Sequence, residues 1–478
     1  MHMSMAWRDE TRARLSTTRF DLLVIGGGIN GAGIARDAAL RGLRVALVDR
    51  DDFASGTSSR SSRLVHGGVR YLEHGFLHLV FESSRERRIL LDTAPHLVRP
   101  LKFTWPVYRG ARIPRWKLAA GLWLYDLLGL FRNVARHRSL STANVLEAEP
   151  CLSREGLTGG ATYFDAATDD ARLTLSNVVD AALAGAVPLN HAEVTALLLR
   201  ESRLAGAAVH DRLSNERFEV RATAVVNATG PWTDGIRRLE DPSSGPAVRG
   251  SKGVHVAVPA PRLGNRAAVT LLSPVDGRVI FVLPSGEHSL IGTTDTPTTE
   301  LPDEVRATRS DVQYLLDAAN AFFPAACLVP DDVVSAWAGI RPLIASGAAG
   351  DTASASREHE VKVGPRGLIS LTGGKLTTYR AMSAEVVNVV QQRLGLRVTP
   401  SPTSTRALPA VTDEFACTVA DVLVRRTHLA FATRDHGMSR APGVAADLAN
   451  RFGWGAAHTA AAVDGYHAEV RRLFTIDP

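Results

Sequence analysis

The sequence has few cysteines and no long uninterrupted apolar run. A transmembrane helix needs about 18 or more consecutive apolar residues, and no such stretch occurs, so none is expected. Residues 1–18 are polar and charged without an apolar h-region, so no secretory signal is expected either. The three cysteines, Cys151, Cys327 and Cys417, are far apart in the sequence and form no metal or redox motif. They suit a reducing cytoplasm, and no metal site is predicted.

Lysine is also scarce, because only five of the 55 basic residues are lysine. Arginine is so common that a single arginine carries little functional information. The net charge of +6 is modest for 478 residues, and no nucleic-acid recognition motif accompanies it, so nucleic acid is not an expected partner. With 45% hydrophobic residues, the chain can bury a large core in two or three domains.

The basic residues are unevenly distributed. Residues 99–138 contain nine lysines and arginines and one acid, Asp126. Within them, cations flank an apolar run at 118–131 that includes Trp123 and Tyr125. Such a segment suits an element lying in a lipid headgroup layer, and it equally suits a buried core helix with solvated ends. Composition leaves both interpretations open.

The strongest local motif is a glycine loop between two apolar runs. Residues 20–25 predict a strand, Gly26-Gly27-Gly28-Ile29-Asn30-Gly31 follows, and residues 30–41 predict a helix. A second strand, residues 43–48, ends at Asp49. In such a unit the glycines allow a tight turn and close approach of a pyrophosphate, while the acid accepts hydrogen bonds from ribose hydroxyls. A dinucleotide site is therefore predicted, with a merely structural glycine turn as the alternative.

Further strands and helices suggest how the chain is organised. Runs at 194–199 and 222–227 return to the dinucleotide domain, and short strands between 253 and 294 predict an antiparallel sheet. The predicted fold class is α/β, with a Rossmann-like FAD-binding domain, an antiparallel-sheet substrate domain and a small C-terminal helical domain. The expected boundaries are a polar tail at 1–19, an oxidoreductase module at 20–399 and a shortened helical domain at 400–478. Within the module the FAD-binding parts are about 20–100, 150–250 and 335–399, and the substrate part is about 250–335.

Several ordered motifs resemble one family, the FAD-dependent glycerol-3-phosphate dehydrogenases within the D-amino-acid-oxidase-like flavoproteins. The resemblance covers roughly residues 20–395. It rests on the glycine loop and on five motifs downstream: Ser61-Ser62-Arg63-Leu64-Val65-His66-Gly67-Gly68-Val69-Arg70-Tyr71, Val226-Asn227-Ala228-Thr229-Gly230-Pro231-Trp232, Ile291-Gly292-Thr293-Thr294-Asp295, Gly339-Ile340-Arg341-Pro342-Leu343 and Gly373-Gly374-Lys375-Leu376-Thr377-Thr378-Tyr379-Arg380.

The resemblance implies a reaction and its partners. It implies non-covalently bound FAD, which accepts a hydride from C2 of sn-glycerol 3-phosphate to give dihydroxyacetone phosphate, with electrons passed to a quinone. A quinone acceptor implies a cytoplasmic protein attached peripherally to the cytoplasmic face of the membrane through residues 112–138, and a homodimer is a further expectation. The family's helical domain is usually longer than the residues after 400 here, which bears on oligomerisation and acceptor docking.

The resemblance also implies roles for individual residues. The expected catalytic residues are His66 as general base, Arg341 and Lys375, and a role through backbone alone stays open for the His66 loop. The cationic pocket for a phosphate dianion, with one histidine, consists of Arg70, His255, Arg278, Arg341, Lys375 and Arg380. The expected FAD-binding residues are Gly26, Gly28, Asn30, Gly31, Asp49, Arg50, Ser58, Ser59, Ser61, Ser62, Leu64, His66, Gly67, Val194, Ala228, Thr229, Gly230, Trp232, Gly339, Arg341, Gly374, Lys375, Leu376, Thr377 and Thr378.

Three other functions compete with this one. An oxidase could use dioxygen on the same substrate, and an amine or amino-acid oxidase could share the scaffold. A carboxylate substrate would also need an arginine, but the number of cations favours a dianion. A degenerate FAD-binding module without turnover is the alternative outside enzymes, and intact His66, Arg70, Arg341 and Lys375 argue against it.

Overall fold

The computed structural model describes residues 4–130, 133–345, 359–412 and 414–478, without the side chains of Arg70 and His74. Helices in this part of the chain are α1 Met5–Thr17, α2 Ile29–Leu40, α3 Leu77–Thr93, α4 Arg115–Leu128, α5 Thr142–Ala148, α6 Asp170–Leu183, α7 Thr233–Glu240, α8 Ala260–Leu263, α9 Arg309–Asn320, α10 Tyr379–Arg393, α11 Leu429–Ala432, α12 Ala441–Phe452 and α13 Ala456–Phe474.

The strands form two sheets. In chain order they are β1 Arg19–Ile25, β2 Val45–Val48, β3 Leu64–Val65, β4 Arg99–Tyr108, β5 Arg138–Leu140, β6 Leu157–Ala167, β7 Val187–Leu189, β8 Ala192–Arg200, β9 Arg203–Asp211, β10 Arg217–Asn227, β11 Val248–Pro259, β12 Ala268–Leu272, β13 Val279–Ser285, β14 His288–Gly292, β15 Thr296–Thr298, β16 Ser335–Ile344, β17 His359–Val363 and β18 Ile369–Gly373.

The first sheet contains the predicted dinucleotide unit. Its strand order is β17-β18-β10-β1-β2-β7, and β9 and β8 extend it antiparallel from β10. Strands β1, β2, β7, β10 and β18 run parallel, with Val24 beside Leu47 on one side and Val226 on the other. The apolar residues of β1 and all of β2 are buried, and these strands pack against α2, whose small side chains are almost all buried. This arrangement confirms the predicted α/β class and the Rossmann-like domain.

The second sheet is the predicted antiparallel one. Its order is β15-β11-β14-β13-β12-β4-β6-β3, with β16 paired to β11 and β5 to β6. Among these pairs, only β12 with β4 is parallel. The sheet includes β3, β6 and β16, which lie in the ranges assigned above to the FAD-binding part. Pairing between strands distant in sequence leaves no local signal, so the sequence could not assign these strands.

The N-terminal segment differs from the expected polar tail. Residues 5–17 form α1, which begins with Ser4 as its N-cap and buries Leu15. Arg8 is buried and donates from Nε and Nη2 to Asp211 at 3.0 and 2.7 Å. The helix is therefore attached to the first sheet through a paired buried charge, a contact that the polar composition of the segment does not indicate.

The C-terminal segment is helical, as expected. Residues 421–426 form a π-helical turn, and α11 to α13 follow it. Asp52, at the end of the first βαβ unit, accepts hydrogen bonds from Arg425 and Arg426 on that turn at 2.6 Å each. Asp421 lies beside His191, with Oδ2 3.0 Å from Nε2. Asp421 also forms an ion pair with Arg425 at 2.8 Å, so both carboxylates that could hold a metal here, Asp52 and Asp421, are already paired with arginines.

None of the described helices is both long and apolar enough to cross a membrane. Helix α4 falls within the basic segment of residues 99–138. It buries Leu118, Leu122 and Tyr125, while Trp116, Trp123 and Leu127 are exposed. The helix is therefore neither a fully buried core element nor a purely surface one, because it has one buried face and one exposed apolar face.

Candidate functional site

A cavity of about 1060 Å³ lies between the two sheets. Its walls include the glycine loop and Asp49 at one end, and His255, Phe281 and Arg341 of the second sheet at the other. Single small-molecule pockets occupy about 300–1,000 Å³. A larger cavity with residues of two domains can hold a dinucleotide together with a small substrate.

At the end of the cavity with the glycine loop, Gly26 and Gly31 have no room for a side chain. Gly26 has φ +99°, and a Cβ there would lie 2.8 Å from the carbonyl oxygen of Ala228. A Cβ on Gly31 would overlap the carbonyl oxygen of Gly26. Helix α2 begins directly after this turn, and its first residues, Ile29 and Asn30, line the cavity. This close packing fits the predicted pyrophosphate site.

Asp49 closes the same end of the cavity. Its Oδ2 accepts a hydrogen bond from Gly27 N at 2.5 Å, and its Oδ1 accepts one from Asp51 N at 2.9 Å. Burial, reinforced by the charges of Asp51 and Asp52, raises the pKa of Asp49 to about 7, against the lowering effect of both backbone hydrogen bonds. The carboxyl group is thus in position to interact with a hydroxyl of a bound nucleotide.

Arg50 and Trp232 form the rim beside Asp49. The Arg50 guanidinium lies 5.2 Å from the centre of the indole ring, and its Nη2 donates to Asp303 Oδ1 at 2.5 Å. Trp232 Nε1 donates to the other oxygen of Asp303 at 3.1 Å. The Asp303 carboxylate therefore fixes both Arg50 and Trp232 in the cavity wall. Val194 belongs to the same wall.

The serine-rich loop crosses the middle of the cavity, and its hydroxyls have different partners. Ser58 Oγ accepts from Ile29 N at 2.9 Å and so caps the start of α2. Ser61 Oγ donates to Asp170 at 2.7 Å, which holds the loop against α6. Ser62 Oγ lies 2.9 Å from Nε2 of His255. The loop thus connects the glycine turn to the second sheet.

His255 lies on β11 and is 2% exposed. Its ring stacks on Trp337 at a centroid distance of 5.5 Å and an interplanar angle of 14°. Burial, with the nearby positive charges of Arg341 and Arg63, lowers the pKa of His255 to about 3. Nε2 interacts with Ser62, and in the described part of the chain the buried Nδ1 has no hydrogen-bond partner. A neutral imidazole with an unsatisfied nitrogen can accept a proton or a hydrogen bond.

Three predicted cations line the same end of the cavity. Arg341 Nη1 donates to the carbonyl oxygen of Thr294 at 3.1 Å, and Nη2 donates to Thr293 Oγ1 at 2.8 Å. Arg278 Nη1 donates to the carbonyl oxygen of Asp295 at 2.5 Å. The ammonium of Lys375 lies 3.8 Å from the centre of a cavity-lining ring, that of Tyr71. The loop after β14 thus holds both arginines at the substrate end.

Most of the predicted site residues line this cavity. They are Gly26, Gly28, Asn30, Asp49, Arg50, Ser58, Ser61, Ser62, Leu64, His66, Val194, Ala228, Thr229, Gly230, Trp232, His255, Arg278, Gly339, Arg341, Gly374, Lys375 and Leu376. Five further predicted residues do not line the cavity but pack against or hydrogen-bond to residues that do: Gly31, Ser59, Gly67, Thr377 and Thr378. The side chain of Arg70 lies outside the described residues.

Arg380 was predicted to bind the substrate phosphate, but it does not line the cavity. Its Nε and Nη2 donate to the two carboxylate oxygens of Glu86 at 2.7 and 2.6 Å, and it is 8% exposed. Helix α10 begins at Tyr379, and the next side chain contacts α3 instead of the cavity. Arg380 therefore forms a buried structural ion pair. We do not include it among the substrate residues.

Several residues of the cavity wall were not among the site residues predicted from the sequence. Tyr71 and Asp295 lay inside motifs already quoted, so their position in those motifs was a usable signal. Tyr163 and Asp165, next to each other in space on β6, also line the cavity. Nothing in the local sequence of β6 indicates a site, because tertiary packing alone brings this strand to the cavity.

Comparison with known proteins agrees with this geometry. Residues 21–380 match the family model for the FAD dependent oxidoreductase, and residues 376–459 match that for the C-terminal domain of alpha-glycerophosphate oxidase. The protein is 44% identical to glycerol-3-phosphate dehydrogenase 2 of Mycobacterium tuberculosis over 418 residues, which are 86% of this chain and 69% of that protein. It is 37% identical to the aerobic glycerol-3-phosphate dehydrogenase of Staphylococcus aureus over 455 residues, 95% of this chain and 80% of the relative.

A solved structure agrees over nearly the whole chain. The crystal structure of the glycerol-3-phosphate dehydrogenase from Bacillus halodurans complexed with FAD aligns with a TM-score of 0.82 and 31% identity, over 98% of each chain. The chain therefore belongs to the FAD-dependent oxidoreductases and, among them, to the glycerol-3-phosphate dehydrogenase family. This membership confirms the predicted family and its dependence on FAD.

Proposed function

We propose that the protein oxidises sn-glycerol 3-phosphate to dihydroxyacetone phosphate with FAD as the hydride acceptor. One observation carries the proposal: a single cavity combines a dinucleotide-binding glycine turn, a neutral buried histidine and three cations. The relatives named above are glycerol-3-phosphate dehydrogenases, which supports the same substrate. Anaerobic mixing of the FAD-loaded protein with sn-glycerol 3-phosphate tests it, because oxidation of the substrate bleaches the oxidised flavin band.

The chain offers a consistent set of residues for FAD. The glycine turn and the start of α2 would hold the pyrophosphate, while Asp49 would bind the ribose of the adenosine half. The serine loop and residues 373–376 would line the flavin half. When bound, FAD supplies the group that accepts a hydride. We propose non-covalent attachment, as the sequence predicts.

The protein residues would orient the substrate and remove one proton. Arg341, Arg278 and Lys375 would bind the phosphate dianion through charge-assisted hydrogen bonds. Hydride loss from C2 requires that the hydroxyl proton also leave. His66 and His255 both line the cavity and are the two candidate proton acceptors.

The amino-acid oxidase alternative differs from this proposal in the charge of its substrate. A carboxylate carries one negative charge, and one arginine can bind it in a bidentate manner. Arg341 and Arg278 lie 3.4 and 3.3 Å from carboxylate oxygens of Asp295 and Asp276, which offset part of their positive charge. The relatives named above therefore favour a phosphorylated alcohol as the substrate more than the number of cations does.

We further propose that electrons pass to a quinone and that the protein binds peripherally to the cytoplasmic face of a membrane. The support is the exposed face of α4, where Trp116, Trp123 and Leu127 are 73%, 56% and 54% exposed. Leu77 and Phe81 of neighbouring α3 are also exposed, at 43% each. Large exposed apolar side chains with basic residues nearby suit a shallow position in an anionic lipid surface.

The charges near this patch support the same orientation. Arg112 and Lys117 are about half exposed and share one acid, Glu73, at 3.1 and 3.9 Å. Two cations against one carboxylate leave net positive charge beside the apolar face. Phe131 and Arg132, which the sequence also assigned to this segment, lie outside the described residues. An oxidase that uses dioxygen would not need this exposed apolar face. Binding of the protein to lipid vesicles would therefore favour the quinone-linked enzyme.

A further inference from the structure

Asp165 on β6 is a point at which three other elements meet. Its Oδ1 accepts a hydrogen bond from Gly67 N at 2.9 Å and one from the Tyr125 hydroxyl at 2.6 Å. Arg87 of α3 also donates to this oxygen through Nη1 and forms an ion pair with it. Arg87, Tyr125 and Asp165, called the buried triad below, are 3%, 1% and 3% exposed.

The hydrogen bonds within the buried triad have defined directions. Burial raises the pKa of Tyr125 well above its usual value, so its hydroxyl stays protonated and donates to Asp165. Arg87 Nη1 in turn donates to the Tyr125 oxygen at 2.6 Å. The pKa of Arg87 is raised although burial acts to lower it, because Tyr125 and Asp165 favour the charged form. The triad is therefore a charge-balanced group that holds one carboxylate oxygen in a fixed place.

That carboxylate oxygen fixes the turn next to His66. A Cβ on Gly67 would collide with the Tyr125 hydroxyl, so α4 packs directly against the backbone of this residue. On the other side, His66 N donates to Thr377 Oγ1 at 3.1 Å. The dipeptide His66–Gly67 is thus held from two sides, and both His66 and Asp165 line the cavity.

We propose that Asp165, supported by Arg87 and Tyr125, is a positioning residue for the His66–Gly67 turn in the oxidation of the substrate. The inference rests on the proposed function, because the turn forms part of the wall of the proposed flavin and substrate cavity. Asp165 acts through the turn and takes no proton from the substrate. A displacement of reacting groups by about 1 Å can lower a rate on the order of 10²-fold.

The kinetic test uses the FAD-loaded protein and two variants, Tyr125→Phe and Asp165→Asn. Each is mixed anaerobically with increasing sn-glycerol 3-phosphate, and the limiting rate of flavin bleaching and the apparent substrate dissociation constant are measured. We expect the limiting rate to fall on the order of 10²-fold for Asp165→Asn and less for Tyr125→Phe, while the dissociation constant stays unchanged. A rise in the dissociation constant with no change in the limiting rate would overturn the proposal.

The matched control is Tyr108→Phe. Tyr108 also donates its hydroxyl to one partner, the carbonyl oxygen of Ser153 at 3.1 Å, and it does not line the cavity. This variant should retain the parent's limiting rate. The double variant Arg87→Met/Asp165→Asn restores charge balance, so we expect it to recover the melting temperature of the parent but not its limiting rate. Recovery of both would show that the triad only stabilises the fold.

Amide hydrogen exchange of the peptide spanning residues 64–69 tests the same contact without substrate. The Gly67 amide should exchange faster in Asp165→Asn and Tyr125→Phe than in the parent and in Tyr108→Phe. Unchanged exchange in Asp165→Asn would overturn the positioning role. If sn-glycerol 3-phosphate does not bleach the flavin of the parent, the proposed function has failed, and this exchange measurement alone decides whether Asp165 holds the turn.

Discussion

His255 Nε2 lies 2.9 Å from the hydroxyl oxygen of Ser62, and this contact joins the serine loop of the nucleotide domain to the second sheet. The contact involves one ring nitrogen and leaves Nδ1, on the other side of the imidazole, without a hydrogen-bond partner among the described residues. Nε2 is thus fixed by the serine loop, and burial keeps the ring neutral at the wall of the cavity. His255 is therefore one of the two candidate proton acceptors, and substitution distinguishes it from His66.

Replacement of His255 by Asn should slow flavin reduction by sn-glycerol 3-phosphate about 10²–10⁴-fold, the usual contribution of a general base. Asn can replace the hydrogen bond to Ser62 but cannot accept the substrate proton. The measurement is the limiting rate of anaerobic flavin bleaching. His210→Asn is the matched control, because His210 is partly exposed, is hydrogen-bonded to Asn215 and does not line the cavity. A parent-like rate for His255→Asn would transfer the role to His66.

The same histidine should affect stability at low pH. Burial and nearby cations lower the pKa of His255 in the folded protein to about 3, below its usual value of about 6.5. The unfolded chain therefore binds this proton at a higher pH than the folded chain does. The contribution of neutral His255 to the free energy of unfolding is complete above pH 6.5. It is lost as the pH falls toward 3, by up to about 1.4 kcal/mol per pH unit. Denaturant unfolding of the parent and of His255→Asn at several pH values should show a shallower loss for the variant.

Gly28→Val should empty the proposed FAD site. Gly28 has φ −71°, so its backbone tolerates a side chain, and an added Cβ would meet only Ser58 Oγ at 3.2 Å. A branched side chain there would instead occupy the space in front of α2 that a pyrophosphate needs. FAD content after gel filtration measures the effect. Gly443→Val, where an added Cβ meets nothing within 4 Å, should retain the parent's FAD content. Full occupancy in Gly28→Val would contradict the assignment.

Arg341→Ala should discriminate between phosphorylated and unphosphorylated substrates. Loss of a charge-assisted contact costs about 1.5–3 kcal/mol, so kcat/KM for sn-glycerol 3-phosphate should fall about 10–150-fold. Glycerol lacks the phosphate, and its much lower kcat/KM should change little. Arg200→Ala, whose parent side chain is 75% exposed, should leave both values unchanged. Equal losses for the two substrates would show that Arg341 supports the fold or the flavin instead.

Replacement of Trp116, Trp123 and Leu127 by Ser should weaken binding to phosphatidylglycerol vesicles. These side chains form the exposed apolar face of α4, and their removal leaves the basic residues in place. Cosedimentation measures binding, which for the parent should weaken in high salt without vanishing. Leu183→Ser/Val275→Ser removes side chains that are 70% exposed elsewhere and should bind like the parent. Parent-like binding of the α4 variant would refute the membrane orientation.

The sequence predicted the site best where the signal was local. Gly26, Asp49 and the helix between them lie within one βαβ unit, so spacing alone indicated their joint role. Arg380 was wrongly assigned because its partner Glu86 is 294 residues away, and only the folded chain brings them together.

The composition of residues 118–131 could not show whether α4 is buried or lies at the surface, because both kinds of helix can contain these residues. Asp165 was missed for a similar reason. Its partners Gly67, Arg87 and Tyr125 belong to three other segments, and no spacing within β6 reports on them. Local chemistry was therefore predictable, whereas contacts between distant segments required the structure.

Anaerobic mixing of the FAD-loaded protein with sn-glycerol 3-phosphate, recorded at the oxidised flavin band, tests the proposed oxidation most directly. We expect rapid, saturable bleaching with stoichiometric dihydroxyacetone phosphate, and little bleaching by glycerol or by amino acids such as glycine and proline. A flavin that sn-glycerol 3-phosphate leaves oxidised while an amino acid bleaches it would contradict the proposed substrate.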